Sequence, residues 1–314
     1  MRFIHLTLIV TFNVFTYLKG MRKYLSFFLF FFLAVFTVAA NAQPLVINVA
    51  DQKEQALNYI NNTRFAKSSF WPKVNPQLFE ENLRRNIKEP VFLYAGRNTN
   101  FCSFAALGYV LLKEDPMGYT KFMIELYQHG KADYRNTNFT PSKAILQTAG
   151  DIMYEGELDK NDADQVLFFT LADHFKGYLN IFHRDYKPGD EQGLWAATNL
   201  KKFNRMLRAM FKTEIRSIGS DLLRPSIDNL SIFLNEKLAE GNVFLYLNNT
   251  ILRKKNHNKL RRMVPTHYIV LQSISEKDGI ATLTYWDVGS KTRRLVTMKT
   301  LNKILYGVSW AVRK

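Results

Sequence analysis

Cysteine occurs once in the 314-residue sequence, as Cys102 within NTNFCSFAAL (residues 98–107). A thiol becomes a nucleophile by ionising, and the oriented N–H groups and dipole at a helix N-terminus stabilise the thiolate. Asn100 is a good capping residue, and Phe104, Leu107 and Leu111 recur at helical spacing before Asp115-Pro116. The spacing therefore predicts a helix capped by Asn100 with Cys102 at its second position. A buried structural cysteine gains nothing from that position. A lone cysteine also rules out an intramolecular disulfide, so an intermolecular bond, a reactive thiol or an ordinary core residue remain.

A cysteine nucleophile needs a base. His129 and His174 fall on helical stretches among charged residues, His183 stands beside Arg184 and Asp185, and His257 lies in the basic run RKKNHNKLRR (253–262). His267 differs, because it opens an apolar strand, THYIVLQSI (266–274). The next strand, IATLTYWDVGS (280–290), carries Asp287, a carboxylate that can orient an imidazole. If SEKDG (275–279) is a five-residue hairpin loop, Ile274 pairs with Ile280 and His267 faces Asp287 directly. Directly opposed side chains have Cβ atoms about 4.5–5.5 Å apart, within reach of a hydrogen bond. Leu271–Leu283 and Ile269–Tyr285 then share that face. A two-residue Asp278-Gly279 turn would move Asp287 to the opposite face.

The elements that must position these residues follow an α+β order. Helical patterns occupy residues 51–61, 76–85, 104–114, 117–129, 161–176, 196–212 and 226–240, with one more between Thr140, as cap, and Gly150. PVFLYAG (90–96) and residues 45–49 read as strands. The last quarter is a run of short strands, NVFLYL, THYIVLQSI, IATLTYW, RRLVTM and GVSWAV, separated by turn residues.

The order of a cysteine at a helix start, a long helical stretch, then histidine and aspartate on neighbouring strands resembles the papain-like cysteine hydrolases. NFCSFAAL, THYIVLQSI and ATLTYWDVGS look most like the bacterial branch related to the bacteriocin-leader peptidases. The resemblance is concentrated in residues 96–112 and 242–290. It implies a papain-like α+β fold in which a helical lobe carrying the cysteine helix packs on a C-terminal antiparallel sheet carrying the histidine and aspartate. It also implies a single domain over residues 43–314 with a helical insertion at about 116–216. The implied catalytic residues are Cys102 and His267, as a thiolate–imidazolium pair, with Asp287 orienting the ring. The family usually carries a glutamine six residues before the cysteine to hold the oxyanion. Gly96 stands there in this chain, so Asn98 is the substitute donor, alongside the Cys102 backbone N–H.

The implied activity is amide hydrolysis, on a peptide or a peptidoglycan crosslink. The same residues would serve a transglutaminase-like acyl transfer, and an inactive binding module for peptide or cell-wall glycan is the competing class. Residues 21–43, MRKYLSFFLFFFLAVFTVAANAQ, have the basic start, apolar core and Ala40-Asn41-Ala42 site of a bacterial signal peptide. Residues 1–42 are therefore expected to be a leader with an over-called extension before a true start at Met21. The mature protein is then exported, periplasmic or secreted, with no transmembrane segment. Of the formal charge of +16, the leader holds four basic residues (Arg2, Lys19, Arg22, Lys23) and no acid, leaving +12. That charge favours an acidic partner, whether an anionic cell-wall polymer, lipid headgroups or nucleic acid, without choosing among them, and RKKNHNKLRR could form a collar for an anionic substrate or be a solvated loop. No HExxH, paired cysteine, Asp-rich loop or glycine-rich phosphate loop is present, so no metal or cofactor is expected, and no specific nucleic-acid partner is predicted.

Overall fold

The computed structural model describes residues 48–96, 99–152, 161–177, 185–248 and 264–312. From Asn48 onward the chain forms one unit. Its N-terminal part is helical: α1 (Val49–Asn61), α2 (Pro76–Lys88), α3 (Cys102–Glu114) and α4 (Pro116–His129). The helix starts carry the signals that place them. Asn75 accepts from the N–H groups of Gln77 and Leu78 ahead of α2, and Asp115 accepts from Gly118 ahead of α4, each followed by proline at the first helical position. Gly130, at φ 66°, closes α4 in the left-handed conformation that favours glycine.

A small hairpin, β1 (Ala132–Tyr134) and β2 (Thr137–Phe139), follows, then the one-turn α5 (Lys143–Leu146), α6 (Asp162–His174) and α7 (Leu200–Met210). The main sheet is built from β3 (Glu214–Gly219), β4 (Gly241–Leu247), β5 (His267–Lys277), β6 (Ile280–Asp287), β7 (Ser290–Thr297) and β8 (Leu305–Val312). Two more helices join it, α8 (Leu230–Glu240) and α9 (Met298–Ile304). The strand order is β3-β8-β4-β5-β6-β7, and every neighbouring pair is antiparallel.

This sheet is buried on both faces at its centre, which is why NVFLYL and GVSWAV are almost unbroken apolar runs. Phe244, Tyr246, Tyr268, Val270 and Trp286 pack into the helical layer, with Phe104 and Leu107 of α3. Val243, Leu245, Ile269, Leu271, Leu283 and Tyr285 form a second core under α8 and α9. At the edge, β7 is mostly exposed and carries Lys291, Arg293 and Arg294, charges that discourage edge pairing.

Several expected elements differ. PVFLYAG is no strand: Pro90–Phe92 is a 3-10 turn and residues 93–96 run without a ladder partner. Pro90 has no N–H to give. The Tyr94 N–H goes instead to buried Asp164, and the Val91 carbonyl accepts from the Trp286 indole. Val49 begins a helix, not a strand end, because the Asn48 side chain caps it. Ser142, not Thr140, precedes α5, which ends after one turn before Gly150. The helical stretch at 116–216 contains the β1–β2 hairpin, and its last residues enter β3, an edge strand of the main sheet. The expected leader (1–42) lies outside the described residues, and among those described no helix is long and apolar enough to cross a membrane.

Candidate active site

α3 begins without a side-chain cap. Its flanking residue is Phe101, at φ −86° and ψ 4°, and Cys102 is the first helical residue, one place earlier than expected. Asn100 is not the cap. It is drawn away because the chain at 191–193 runs alongside: its N–H donates to the Glu191 carbonyl at 2.7 Å, and its Nδ2 donates to the carbonyls of Gln192 and Gly193 at 2.9 Å each. Phe101 is fully buried against Phe104, Phe168 and Phe169. An apolar plug therefore holds the helix start that a cap would otherwise hold. Ser103 Oγ donates to Thr198 Oγ1 at 2.9 Å and ties the first turn to the segment before α7.

His267 opens β5 and Asp287 closes β6. Because the strands are antiparallel, both residues lie at the same end of the sheet, where the start of α3 meets it. His267 Nε2 is 2.5 Å from Asp287 Oδ1. Both side chains are largely enclosed, at 7% and 14% exposure. With Nε2 on the carboxylate, Nδ1 is left for the Cys102 sulfur, with which the ring hydrogen-bonds. The Cys102, His267 and Asp287 side chains are thus together.

The expected register is overturned. The hairpin turn is the two-residue Asp278-Gly279, with Lys277 paired to Ile280. Both residues adopt positive φ (51° and 71°), which suits the right-handed twist of the strands and favours the short turn. A regular ladder from that turn would put Asp287 on the wrong face. A bulge corrects it: Leu271 pairs with Tyr285 and Ser273 with Thr284, leaving Gln272 unpaired. Carried one step past Val270–Trp286, the ladder sets Asp287 level with Ile269, diagonal to His267 and on the same face.

Burial pushes the thiol of half-buried Cys102 up, but the adjacent imidazolium of His267, its hydrogen bond and the Tyr268 backbone N–H pull it down, and the net direction is down. Burial opposes the charge on His267, yet Asp287 and the Cys102 thiolate outweigh it and push the ring up to about 10. The three groups therefore favour a thiolate–imidazolium pair with a carboxylate behind it. The Tyr268 N–H carries no residue-type signal, so sequence reasoning had no means of finding it.

Gly96, where the resembled family has glutamine, sits at φ 79°. A side-chain-bearing residue adopts that conformation only under strain, so the backbone itself departs from one built for glutamine. Asn98, the expected substitute, lies outside the described residues, as do His183, His257 and the basic run 253–262. His129 and His174 are exposed on helices. Among the described residues no group of three or more His, Cys, Asp or Glu side chains could hold a metal ion. Comparison with family models, curated proteins and solved structures found no match to this chain.

Proposed function

We propose that this chain is an exported papain-like cysteine hydrolase that cleaves an amide bond in a peptide or a peptidoglycan crosslink. The observation that carries this reading is the His267 ring, held by Asp287 on one side and hydrogen-bonded to Cys102 at a helix start on the other. The Cys102 thiolate attacks the carbonyl carbon, forming a carbon–sulfur bond and an oxyanion. The Cys102 backbone N–H, unclaimed by a side-chain cap, would donate to that oxygen. As the carbon–nitrogen bond breaks, imidazolium His267 gives its proton to the leaving amine. Neutral His267 then takes a proton from water, the hydroxide attacks the thioester, and the carboxylic acid leaves as the thiolate–imidazolium pair returns. The leader sequence supports export, and the +12 charge of residues 43–314 supports an anionic substrate.

Gly96 favours a second reading, a binding module that keeps the fold and lacks a complete oxyanion site. The two are separated by incubating the mature chain with purified peptidoglycan and with unfolded protein, then measuring new amino groups. The hydrolase reading expects release by the native chain and none by Cys102→Ala. Binding to either polymer with no release from both proteins would establish the second reading. If an added amine replaces water in the product, the reaction is an acyl transfer.

A further inference from the structure

The register that brings Asp287 to His267 depends on one extra residue in β5, and that residue is anchored. Gln272, unpaired in the ladder, donates from Nε2 to the Tyr109 hydroxyl at 2.9 Å. Tyr109 belongs to α3, seven residues after Cys102, and therefore on the same side of that helix two turns on. Its ring is stacked on Trp286, with centroids 4.5 Å apart and planes 5° from parallel. Trp286 immediately precedes Asp287, and its indole N–H donates to the Val91 carbonyl at 3.0 Å. One ring on the cysteine helix thus contacts both the bulge that sets the side of the sheet on which Asp287 falls and the residue that carries Asp287 forward.

We propose that Gln272 and Tyr109 are positioning residues, which lock the β5 bulge in place and so hold Asp287 in register with His267 and at a fixed height against Cys102. The inference rests on the reading of these three residues as one site, though not on what that site cleaves. A bulge whose side chains do not pin it can slide, which reverses the face of each residue it passes, or be lost, which puts Asp287 on the face opposite His267. Gln272 pins it on the turn side of Leu271, where its amide donates to the Tyr109 hydroxyl. Neither residue touches the sulfur or the imidazole. They act through Asp287.

The test is the titration of the His267 ring, followed by NMR in the full mature chain and assigned with His267→Ala. Four proteins are compared: native, Gln272→Met, Asp287→Asn and the double variant. Gln272→Met keeps the length of the side chain and loses the hydrogen bond. We expect the proton affinity of His267 to fall about threefold to tenfold in Gln272→Met. In the Asp287→Asn background the same change should have no further effect, because the charge it positions is gone. Tyr109→Phe keeps the stack, loses the acceptor and should match Gln272→Met, which provides a second route if the methionine variant does not fold. An unchanged titration in the foldable variant overturns the proposal. So does an equal fall in both backgrounds, which would mark a general loosening of the sheet. A native His267 that titrates near 6.5 overturns the proposal and the ion pair together. Absence of amide cleavage refutes only the hydrolase reading, since the titration needs no substrate.

Discussion

His267 and Asp287 meet across the β5–β6 hairpin as diagonal neighbours, with Nε2 2.5 Å from Oδ1. The carboxylate is the main cause raising the ring, and it also repels the thiolate. Replacing it with an acceptor of the same shape removes the charge and keeps the hydrogen bond. Asp287→Asn should therefore retain activity while the basic limb of its kcat/KM profile moves to lower pH. Asp287→Ala, which loses the orienting bond as well, should lower kcat by about 10²-fold or more. Equal profiles for native and Asn enzymes would show that the carboxylate charge has no part in the site.

The plug at the start of α3 should be expensive to remove. Phe101 has no exposed surface and contacts three other phenylalanine rings. Phe101→Ala is expected to destabilise the chain by about 3–5 kcal/mol in urea unfolding. Cys102→Ala, at a half-buried position, should leave the unfolding midpoint close to native while abolishing activity. A Phe101→Ala midpoint equal to native would mean that something else fixes the helix start.

Asp164 gives a stability signature of opposite sign to an ordinary paired carboxylate. It is fully buried, accepts hydrogen bonds from the Tyr94 N–H and Asn86 Nδ2, and burial pushes it up to about 7. The folded chain therefore binds its proton more tightly than the unfolded chain, whose carboxyl titrates near 3.9. Its contribution is complete at low pH and is lost as pH rises from about 4 to about 7. Relative to Asp164→Asn, the native chain should lose stability across that window. A constant difference between the two would contradict this.

The decapeptide 253–262 holds six basic residues a few positions ahead of His267. If it gathers an anionic substrate, changing Lys254, Lys255, Arg261 and Arg262 to glutamine should raise KM more than it lowers kcat. The difference should shrink as salt rises, since screening at about 0.15 M already shortens the range to about 8 Å. Unchanged KM at low salt would make the run a solvated loop.

The α+β order, most helices and five of the sheet strands were legible because each has a local cause: a cap, a proline, a glycine at positive φ, an apolar run. What was not legible depends on partners distant in sequence. Asn100 has the chemistry of a cap, but carbonyls at 192 and 193 claim its amide. PVFLYAG has strand composition, but Asp164 and Trp286 take its backbone groups. β3 was hidden because its pattern is largely exposed and only its pairing with β8 makes it a strand. The meeting of Cys102, His267 and Asp287 follows from type and order, while the route that joins His267 to Asp287 does not. The two-residue turn, which alone would move Asp287 to the opposite face, is offset by a bulge that no local signal marks, and their effects on side-chain parity cancel. Nothing in the residue types of LQSI marks Gln272 as the extra residue; its bond to Tyr109 does.

A Cys102 held as a thiolate by His267 should react with electrophiles below the pH at which a free thiol does. The direct measurement is the rate of iodoacetamide alkylation of Cys102 against pH, in native protein and in His267→Ala. Around the sulfur, burial and Asp287 push the thiol up, whereas the His267 charge and hydrogen bond and the Tyr268 N–H pull it down. Removing the imidazole leaves mainly the causes that raise it. Labelling of native protein should have a midpoint below the free-cysteine value of about 8.5, and His267→Ala should move it to or above that value. A native midpoint near about 8.5 that His267→Ala does not move would contradict it, and Cys102 would be an ordinary core residue.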